Sequence, residues 1–324
     1  MSFQESVIID RLMTGIIAPV IMKYKIEKKF IIALIHLPGI KRKTAYKLLV
    51  NLDRDILSLG ELIEYLSDKG DIKLKSTLSI DGFDNALKLA WQILQQSAAN
   101  DIKMVSVLDD DYPKFLRQSN DPPIILNYMG DITLLSSKPT IAIIGTRDPS
   151  AYGERYSKFV SDFFARKGFN IVSGLAKGCD TAAHLGAINA NGVTSAVLAH
   201  GLDKVYPKEN KALADQIKQC GVLVSEYFIG TQMSRKNFVE RDRIQAALSL
   251  GTFIVECTIG SGTMHTAKYT KDYDRVLAVM KPPLRDYNET RVSGNQMLSQ
   301  TGKAVAIYDN YELEELTTYL IKKH

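Results

Sequence analysis

The sequence predicts an α/β protein in which a small all-α domain precedes an extended, doubly wound and mostly parallel Rossmann-like sheet. Two observations lead to this fold class. Apolar runs of strand length end abruptly at glycines, as residues 141–144 do at Gly145, which is typical of strands buried on both faces. Amphipathic helical segments such as residues 152–166 separate these runs, and that alternation is the pattern of βαβ units in a parallel sheet.

Residues 1–100 are predicted to form the helical domain. Residues 7–22 are apolar but interrupted by charges and a proline, and they fall short of the roughly 20 apolar residues of a membrane span, so we expect a packed helix and no membrane contact. Two later helices flank a turn at residues 37–40 and resemble a helix-hairpin-helix or SAM-like unit. Such a turn can present N–H groups to phosphate, but Lys41 replaces the usual second glycine. A DNA-contacting hairpin and a packing unit with a solvated basic edge both stay open.

Residues 101–138 are predicted to be a linker with short strands, because the Asp- and Pro-rich stretches at 109–113 and 121–123 are turn signals. The Rossmann-like domain is assigned to residues 139–324, with a closing helix at residues 311–323. Its seven predicted strands are residues 141–144, 169–172, 194–200, 221–227, 251–258, 275–280 and 303–309.

Positive charge is concentrated near the N-terminus. The chain of 324 residues has a formal net charge of +5, and residues 23–47 alone hold eight Lys or Arg and one Glu. The remainder is close to neutral, so a polyanion bound by the large domain must be held by a few placed cations. Three separated cysteines, Cys179, Cys220 and Cys257, argue against a disulfide framework and for the reducing cytoplasm.

Cofactor and metal signatures are missing from the sequence. Gly145 is followed by Thr146, Arg147 and Asp148, so the dinucleotide fingerprint is absent, and no Walker A pattern occurs. No Cys-x-x-Cys or His-x-x-x-His pair supports a zinc site. We therefore expect neither a cofactor nor a metal ion.

Two glycine turns at the ends of predicted strands carry cations. Arg147 stands on the first turn, and Ser173, Gly174 and Lys177 stand on the second. Ligands of such sheets bind beyond the carboxyl ends of the strands, where helix N-termini offer free N–H groups. Two cations beside two helix N-termini predict an anion site, most simply for phosphate.

Three further stretches carry residues suited to anions. They contribute Lys208 and Asn210 after a strand end, Arg241 and Arg243 near the start of a helix, and the turn from Gly260 to Gly262. For the two arginines, surface ion pairing with Glu240 and Asp242 is an equal alternative.

At these residues the chain resembles the DprA (Smf) family of DNA-processing proteins. The matching segments follow the family's order across about residues 105–307 and include IGTRDPSAYG, VSGLAKGCDTAAH, GLDKVYPKEN, FVERDRIQAALS and GSGTMHTA. The resemblance implies binding of single-stranded DNA and loading of a RecA-type recombinase onto it in natural transformation, without a catalytic step. It also implies a cytoplasmic homodimer, with single-strand-binding protein as a further partner.

The resemblance also implies a DNA pocket, residue by residue. Where the family usually has Asn this chain has Asp242, a carboxylate that would repel phosphate unless it turns toward Arg241. Many members add a C-terminal winged helix, for which we expect no room after the last strand. The implied pocket residues are Gly145, Arg147, Ser173, Gly174, Lys177, Lys208, Asn210, Arg241, Arg243, Gly260, Ser261 and Gly262.

Two other function classes stay open on the sequence. The related LOG-like group cleaves nucleoside 5′-monophosphates at the N-glycosidic bond, but Thr266 stands where its acid/base glutamate would be. A nucleotide-binding sensor with the same fold is the other alternative. Cys179 and His184 are about one helical turn apart, and a buried thiol is favoured over a nucleophilic pair.

Overall fold

A nine-stranded sheet lies at the centre of the fold and has the mostly parallel topology that the sequence predicts. The structure, a computed structural model, describes residues 24–69 and 79–324, and the predicted helix at residues 7–22 lies outside them. In chain order the strands are β1 (Lys103–Ser106), β2 (Ile125–Gly130), β3 (Thr140–Ile144), β4 (Asn170–Ser173), β5 (Val193–Leu198), β6 (Val222–Ser225), β7 (Gly251–Ile254), β8 (Val276–Met280) and β9 (Val305–Ile307).

Across the sheet the strand order is β1-β2-β6-β5-β4-β3-β7-β8-β9. β2 runs antiparallel to both β1 and β6, and the other neighbours are parallel. The seven strands predicted in the large domain are present as β3 to β9, so the fold class is confirmed.

Residues 101–138 were predicted as a linker with short strands; the short strands are present as β1 and β2, but they extend the central sheet. The β2–β6 register places Asn127 opposite Ser225, and the Asn127 side-chain amide donates to the Ser225 carbonyl over 3.1 Å. Strands this far apart in sequence leave no local signal of their pairing. The Asp- and Pro-rich turn residues were therefore the only signal, and they favoured a linker.

The helices cover both faces of the sheet and bury β3 at all five positions. In the described residues, no helix is both long and apolar enough to cross a bilayer. In chain order the helices are α1 (Lys28–His36), α2 (Arg42–Val50), α3 (Leu59–Lys69), α4 (Ile80–Ala99), α5 (Lys114–Arg117), α6 (Leu134–Ser137), α7 (Ala151–Arg166), α8 (Cys179–Asn189), α9 (Lys211–Cys220), α10 (Arg235–Leu248), α11 (Thr263–Asp272), α12 (Ser293–Gln300) and α13 (Asn310–Lys323), with a 3₁₀ turn at Lys208–Asn210.

The N-terminal helices pack on the antiparallel edge of the sheet. α1 and α2 form the predicted hairpin, and Gly39 in its turn has a φ of 81°, a conformation that suits glycine. Buried side chains of these helices, such as Leu34, share one hydrophobic cluster with Leu126 of β2 and Val224 of β6. The helical part and the sheet therefore share a core.

The position of β3 creates a topological switch point. From β3 the chain moves outward through β4, β5 and β6, and then returns to the other side of β3 as β7. Connections that leave β3 and β7 in opposite directions open a crevice beyond their carboxyl ends, where ligands of such sheets bind. The glycine turns singled out in the sequence stand at this edge.

Candidate functional site

The first glycine turn packs tightly against the start of α8. A Cβ atom on Gly145 would lie 2.5 Å from the Cys179 Sγ, closer than any side-chain carbon can approach. The Cys179 N–H donates to the Thr146 carbonyl over 3.1 Å. Gly145 is thus needed for close packing, and it places the next exposed side chain, Arg147, over the crevice.

The N-terminus of α7, predicted as half of an anion site, is occupied by a carboxylate of the chain itself. Ser150 caps this helix by accepting from the Gly153 N–H over 2.9 Å. The buried Glu256 carboxylate accepts from the Ser150 N–H over 2.8 Å and from the Ser150 hydroxyl over 2.5 Å. An anion at a helix N-terminus is stabilised by the helix dipole, and here Glu256 fills that role in place of phosphate.

The second glycine turn is closed in the same way. The Asp180 carboxylate accepts from the Gly174 N–H over 3.1 Å and from the Ala176 N–H over 3.3 Å. The Ser173 hydroxyl is buried and donates to the Ile143 carbonyl over 2.7 Å. The prediction that Ser173 and Gly174 contact phosphate is therefore corrected: their polar groups are already paired inside the fold.

Arg241 lies beneath this second turn. Its Nη1 donates to the carbonyls of Gly174, over 2.9 Å, and Val197, and its Nε contacts Asp242 Oδ1 at 3.1 Å. Only 5% of Arg241 is exposed, so it stabilises the buried carboxylates of Asp180 and Asp242 and is not available to DNA. The predicted contact from Arg241 is corrected. Asp242 does turn toward Arg241, as the resemblance required.

Both carboxyls beside Arg241 have perturbed ionisation. Burial raises the pKa of Asp242 to about 6, and the attraction of Arg241 opposes this shift. Burial also raises the pKa of Asp180, and the positive charge of Arg241 again opposes this shift.

Arg243 is two residues further along α10 and faces a different part of the fold. Its side chain is 2% exposed, ion-pairs with Glu226, and donates from Nη1 to the Asp121 carbonyl over 2.8 Å. Arg42 of α2 contacts the same two acids, with 3.3 Å to Glu226 and 3.0 Å to Asp121. Arg243 therefore fastens the helical part to the sheet, and its predicted role in the DNA pocket is corrected.

Asn210 is also structural. Its buried side-chain amide donates to the Leu175 carbonyl and to the Thr181 hydroxyl, both over 2.8 Å. These bonds fix the second turn against α8, because backbone polar groups in a buried turn must find partners. The amide is unavailable to an external phosphate, which corrects the prediction for Asn210.

Three of the predicted cations do remain exposed at the crevice edge: Arg147, Lys177 and Lys208. Lys177 Nζ lies 2.9 Å from Glu209 Oε1, and both side chains are more than half exposed, so water screens this pair and a phosphate can compete for the lysine. Within the part of the chain that the structure describes, the side chains of Arg147 and Lys208 form no ion pair and no hydrogen bond. These two cations are ready for an external anion.

Two aromatic side chains lie beside these cations, and sequence reasoning missed both. The Arg147 guanidinium is 5.2 Å from the centre of the Phe238 ring. Tyr206, which is 42% exposed, packs edge-to-face on Phe238 with ring centres 6.1 Å apart. Both rings stand in stretches singled out for their charges, and only the tertiary structure brings them to Arg147. A partly exposed aromatic ring beside a cation is suited to a stacked base and its phosphate.

The third glycine turn is more open than the other two. Gly260 has a φ of 80°, and a Cβ atom on either Gly260 or Gly262 would meet no atom within 4 Å. α11, which follows, has no side-chain cap and no acidic residue in its first turn. Ser261 is half-buried between the glycines. Contact of Gly260, Ser261 and Gly262 with phosphate stays a prediction, with an accessible turn behind it.

The side chains that could act in catalysis are buried in the fold. Thr266, where the LOG-like group has its glutamate, is 2% exposed on α11. Burial raises the pKa of the Cys179 thiol, and the His184 ring is paired with the Thr194 hydroxyl over 2.7 Å, so these residues do not form a nucleophilic pair. In the part of the chain that the structure describes, no cluster of three or more His, Cys, Asp or Glu side chains could hold a metal ion.

Comparison with known proteins agrees with this architecture. The family model described as DNA recombination-mediator protein A matches residues 103–318. Protein Smf of Synechocystis is 34% identical over 241 residues, which cover 70% of this chain and 60% of the relative. The DNA processing protein DprA of Bacillus subtilis is 37% identical over 185 residues, which cover 57% of this chain and 62% of the relative. The matched part thus spans about three fifths of these relatives.

Solved structures extend the likeness to the whole fold. DNA processing protein A from Streptococcus pneumoniae superposes with a TM-score of 0.74 at 30% identity, covering 90% of this chain and 98% of that one. The protein of the same name from Helicobacter pylori, described with a unique single-stranded DNA binding mode, has a TM-score of 0.60 at 28% identity and covers 69% of this chain and 97% of that one. The resemblance found in the sequence is confirmed.

Proposed function

This chain belongs to the DNA recombination-mediator protein A family, and from that premise we propose that its crevice binds single-stranded DNA. The observation that carries the proposal is the position of Arg147 over the Phe238 ring, 5.2 Å from its centre, at the carboxyl edge of the sheet. A nucleotide needs one group to stack on its base and another to neutralise its phosphate. Phe238 and Arg147 supply both within one contact.

Single strands fit this arrangement better than duplex. Stacking on Phe238 or Tyr206 requires a base that is free of its own stack, and such contacts contribute roughly 1–3 kcal/mol per base with little base preference. The large domain is otherwise near neutral, so it lacks the broad basic surface that non-specific duplex binding uses. We expect tighter binding of single-stranded than of double-stranded DNA.

The phosphate contacts are assigned to the exposed cations. Arg147, Lys177 and Lys208 reach phosphates, and the open turn at Gly260 and Gly262 offers backbone N–H groups to a neighbouring one. With the buried arginines of α10 removed from the site, three side-chain contacts remain. Each contributes roughly −0.7 to the slope of log affinity against log salt, so the slope is expected near about −2.

Titrating labelled single- and double-stranded oligonucleotides of equal length across a salt series tests the proposal. A strong preference for the single strand, with a slope at least as steep as about −2, supports it. Equal affinities for single- and double-stranded DNA, or an affinity that does not change with salt concentration, would contradict it.

We extend the proposal to delivery of the bound strand to a RecA-type recombinase, as the name recombination mediator and the family resemblance imply. Single-strand-binding protein would be the competitor that is displaced, and the acting species would be a homodimer in the reducing cytoplasm. Free thiols at all three cysteines support the reducing compartment. Recombinase filament assembly on coated single strands, with and without this protein, tests delivery, and sedimentation tests the dimer.

We also propose that the site binds without breaking bonds. Two carboxylates at the crevice, Glu256 and Asp180, each accept hydrogen bonds from backbone N–H groups, which hold both side chains in the fold. Incubation with adenosine monophosphate should release no adenine. Release that disappears in Glu256→Gln or Asp180→Asn would favour the glycosidase alternative.

A further inference from the structure

The basic end of the α1–α2 hairpin lies outside the crevice. It contains none of the residues proposed to contact DNA in the crevice. Lys41 and Lys43 flank the first residue of α2, and both are exposed. Within residues 24–69 and 79–324, neither side chain has an ion pair or a hydrogen bond. Two unpaired cations at the start of one helix attract a polyanion.

A chain of contacts places this hairpin end at the carboxyl edge of the sheet. Arg42, between the two lysines, ion-pairs with Glu226, which directly follows β6. The His36 ring lies 5.5 Å from the ring of Phe228, two residues further on. Because β6 is parallel to β5, this segment lies at the same edge as the loop that follows β5.

The same chain of contacts continues to the crevice. The Gly230 N–H donates to Asp203 Oδ1 over 3.1 Å, which joins the segment after β6 to the loop after β5. That loop carries Tyr206, and Tyr206 packs on Phe238 beside Arg147. The hairpin end and the crevice are thus two ends of one continuous surface.

The charge along this connecting surface favours a phosphate backbone. Lys41, Lys43 and Lys204 are exposed on it, and Asp203 is its exposed acid. Glu226 and Asp121, two further acids on this route, are both paired with Arg42 and Arg243. Because Lys204 stands beside Asp203, the positive charge in excess on this surface lies at Lys41 and Lys43.

We propose that a single strand leaving the crevice past Tyr206 continues over the loops after β5 and β6, and that Lys41 and Lys43 bind its outer phosphates. This inference rests on the proposed function and adds a second contact that short strands cannot reach. The hairpin is then a length sensor for DNA, because its lysines contribute only when the strand extends beyond the crevice.

The test compares the Lys41→Ala/Lys43→Ala double variant with wild type on single strands of about six and about 25 nucleotides, lengths that bracket typical single-strand site sizes. The matched control is Lys322→Ala/Lys323→Ala. That pair is also exposed, but it lies at the carboxyl end of α13, and helices that connect parallel strands end at the opposite edge of the sheet.

We expect the hairpin variant to bind the long strand about two- to thirtyfold more weakly, because it loses two exposed charge pairs. Its salt slope should become less steep by about 1.4, which is two phosphate contacts. Its affinity for the short strand, and both affinities of the control variant, should match wild type.

Several outcomes would overturn the inference. Equal loss on both lengths would mean that the lysines act on the crevice itself. An equal loss in the control variant would mean that the lysines act only through the net charge of the protein. Wild-type binding with an unaffected double variant defeats this inference alone, whereas no wild-type binding at all defeats the proposed function first.

Crosslinking provides an independent measurement. A photoreactive group on the terminal phosphate of the long strand should attach to the peptide that contains residues 37–43. The same group on the short strand should attach near Tyr206 or Arg147. Attachment of the long strand's end only to the opposite side of the crevice, along α11, would contradict the path.

Discussion

The Glu256 carboxylate accepts from both the backbone N–H and the hydroxyl of Ser150, over 2.8 and 2.5 Å. Ser150 in turn caps α7, so this buried acid occupies the position that a ligand phosphate takes in many Rossmann-like folds. Asp180 does the same at the second turn. The N-terminus of α7 and the N–H groups of the second turn are therefore paired inside the fold, and we expect the ligand to contact exposed side chains and the third turn.

Glu256→Gln should destabilise the protein. The amide keeps the shape of the carboxylate but presents an NH₂ group where an acceptor is needed, and a buried donor without a partner costs about 1–3 kcal/mol. The free energy of unfolding from urea titration measures the loss. Ser150→Ala should cost about 1 kcal/mol by removing the cap. Unchanged stability in Glu256→Gln would mean that this acid is free for another role.

Arg147→Ala should weaken single-strand binding by about ten- to a hundredfold. The removed guanidinium contributes a charged hydrogen bond to phosphate of about 1.5–3 kcal/mol. Stability should change by no more than about 0.5 kcal/mol, because Arg147 is exposed and neither caps a helix nor fills the core. Melting and affinity should be measured on the same preparation.

The matched control for Arg147 is Arg166→Ala. Arg166 is also exposed but ends α7, at the opposite edge of the sheet, where it pairs with Asp162 over 2.7 Å. Its affinity should equal that of wild type. If Arg147→Ala lowers the melting temperature by several degrees and leaves the affinity per folded molecule unchanged, Arg147 is a structural residue.

Phe238→Ala should lose about 1–3 kcal/mol of single-strand affinity, the contribution of one stacked base. Phe238→Tyr should keep most of it, since the ring face remains. Phe159→Ala is the comparison variant. Phe159 is an aromatic residue on α7 that is 42% exposed and does not contact Arg147. Fluorescence titration with 2-aminopurine strands reports the stacking directly. Equal losses for Phe238→Ala and Phe159→Ala would exclude a stacking role.

Asp242→Asn should change how stability depends on pH. Burial raises the pKa of Asp242 from 3.8 to about 6, so the folded protein binds more protons than the unfolded chain between these pH values. The contribution of Asp242 to stability therefore falls as pH rises from about 4 to about 6 and is level above that. The contribution is roughly 3 kcal/mol, from about two pKa units.

The variant lacks this group, so the stability difference between wild type and Asp242→Asn should fall by that amount across the same window. Urea titrations at several pH values between about 4 and 8 measure it. A difference that stays constant with pH would mean that Asp242 is ionised throughout, with Arg241 cancelling the effect of burial.

The seven strands of the large domain, their order along the chain and the family could all be predicted from the sequence. Apolar runs such as residues 141–144 and helical periodicity such as that of residues 152–166 are local properties, so they survive without knowledge of distant partners. Ordered motifs such as IGTRDPSAYG also carry their information locally. The exposed cations Arg147, Lys177 and Lys208 were found because each follows a strand that could be recognised.

Which polar residues face outward could be read only from the folded structure. Arg241 and Arg243 look alike in sequence, each beside an acid, yet 5% and 2% of them are exposed because their partners, Gly174 and Glu226, come from distant strands. Phe238 and Arg147 meet across 91 positions of sequence for the same reason. A charged or aromatic side chain takes its role from whatever folds against it, and that neighbour is set by long-range packing, which no local pattern encodes.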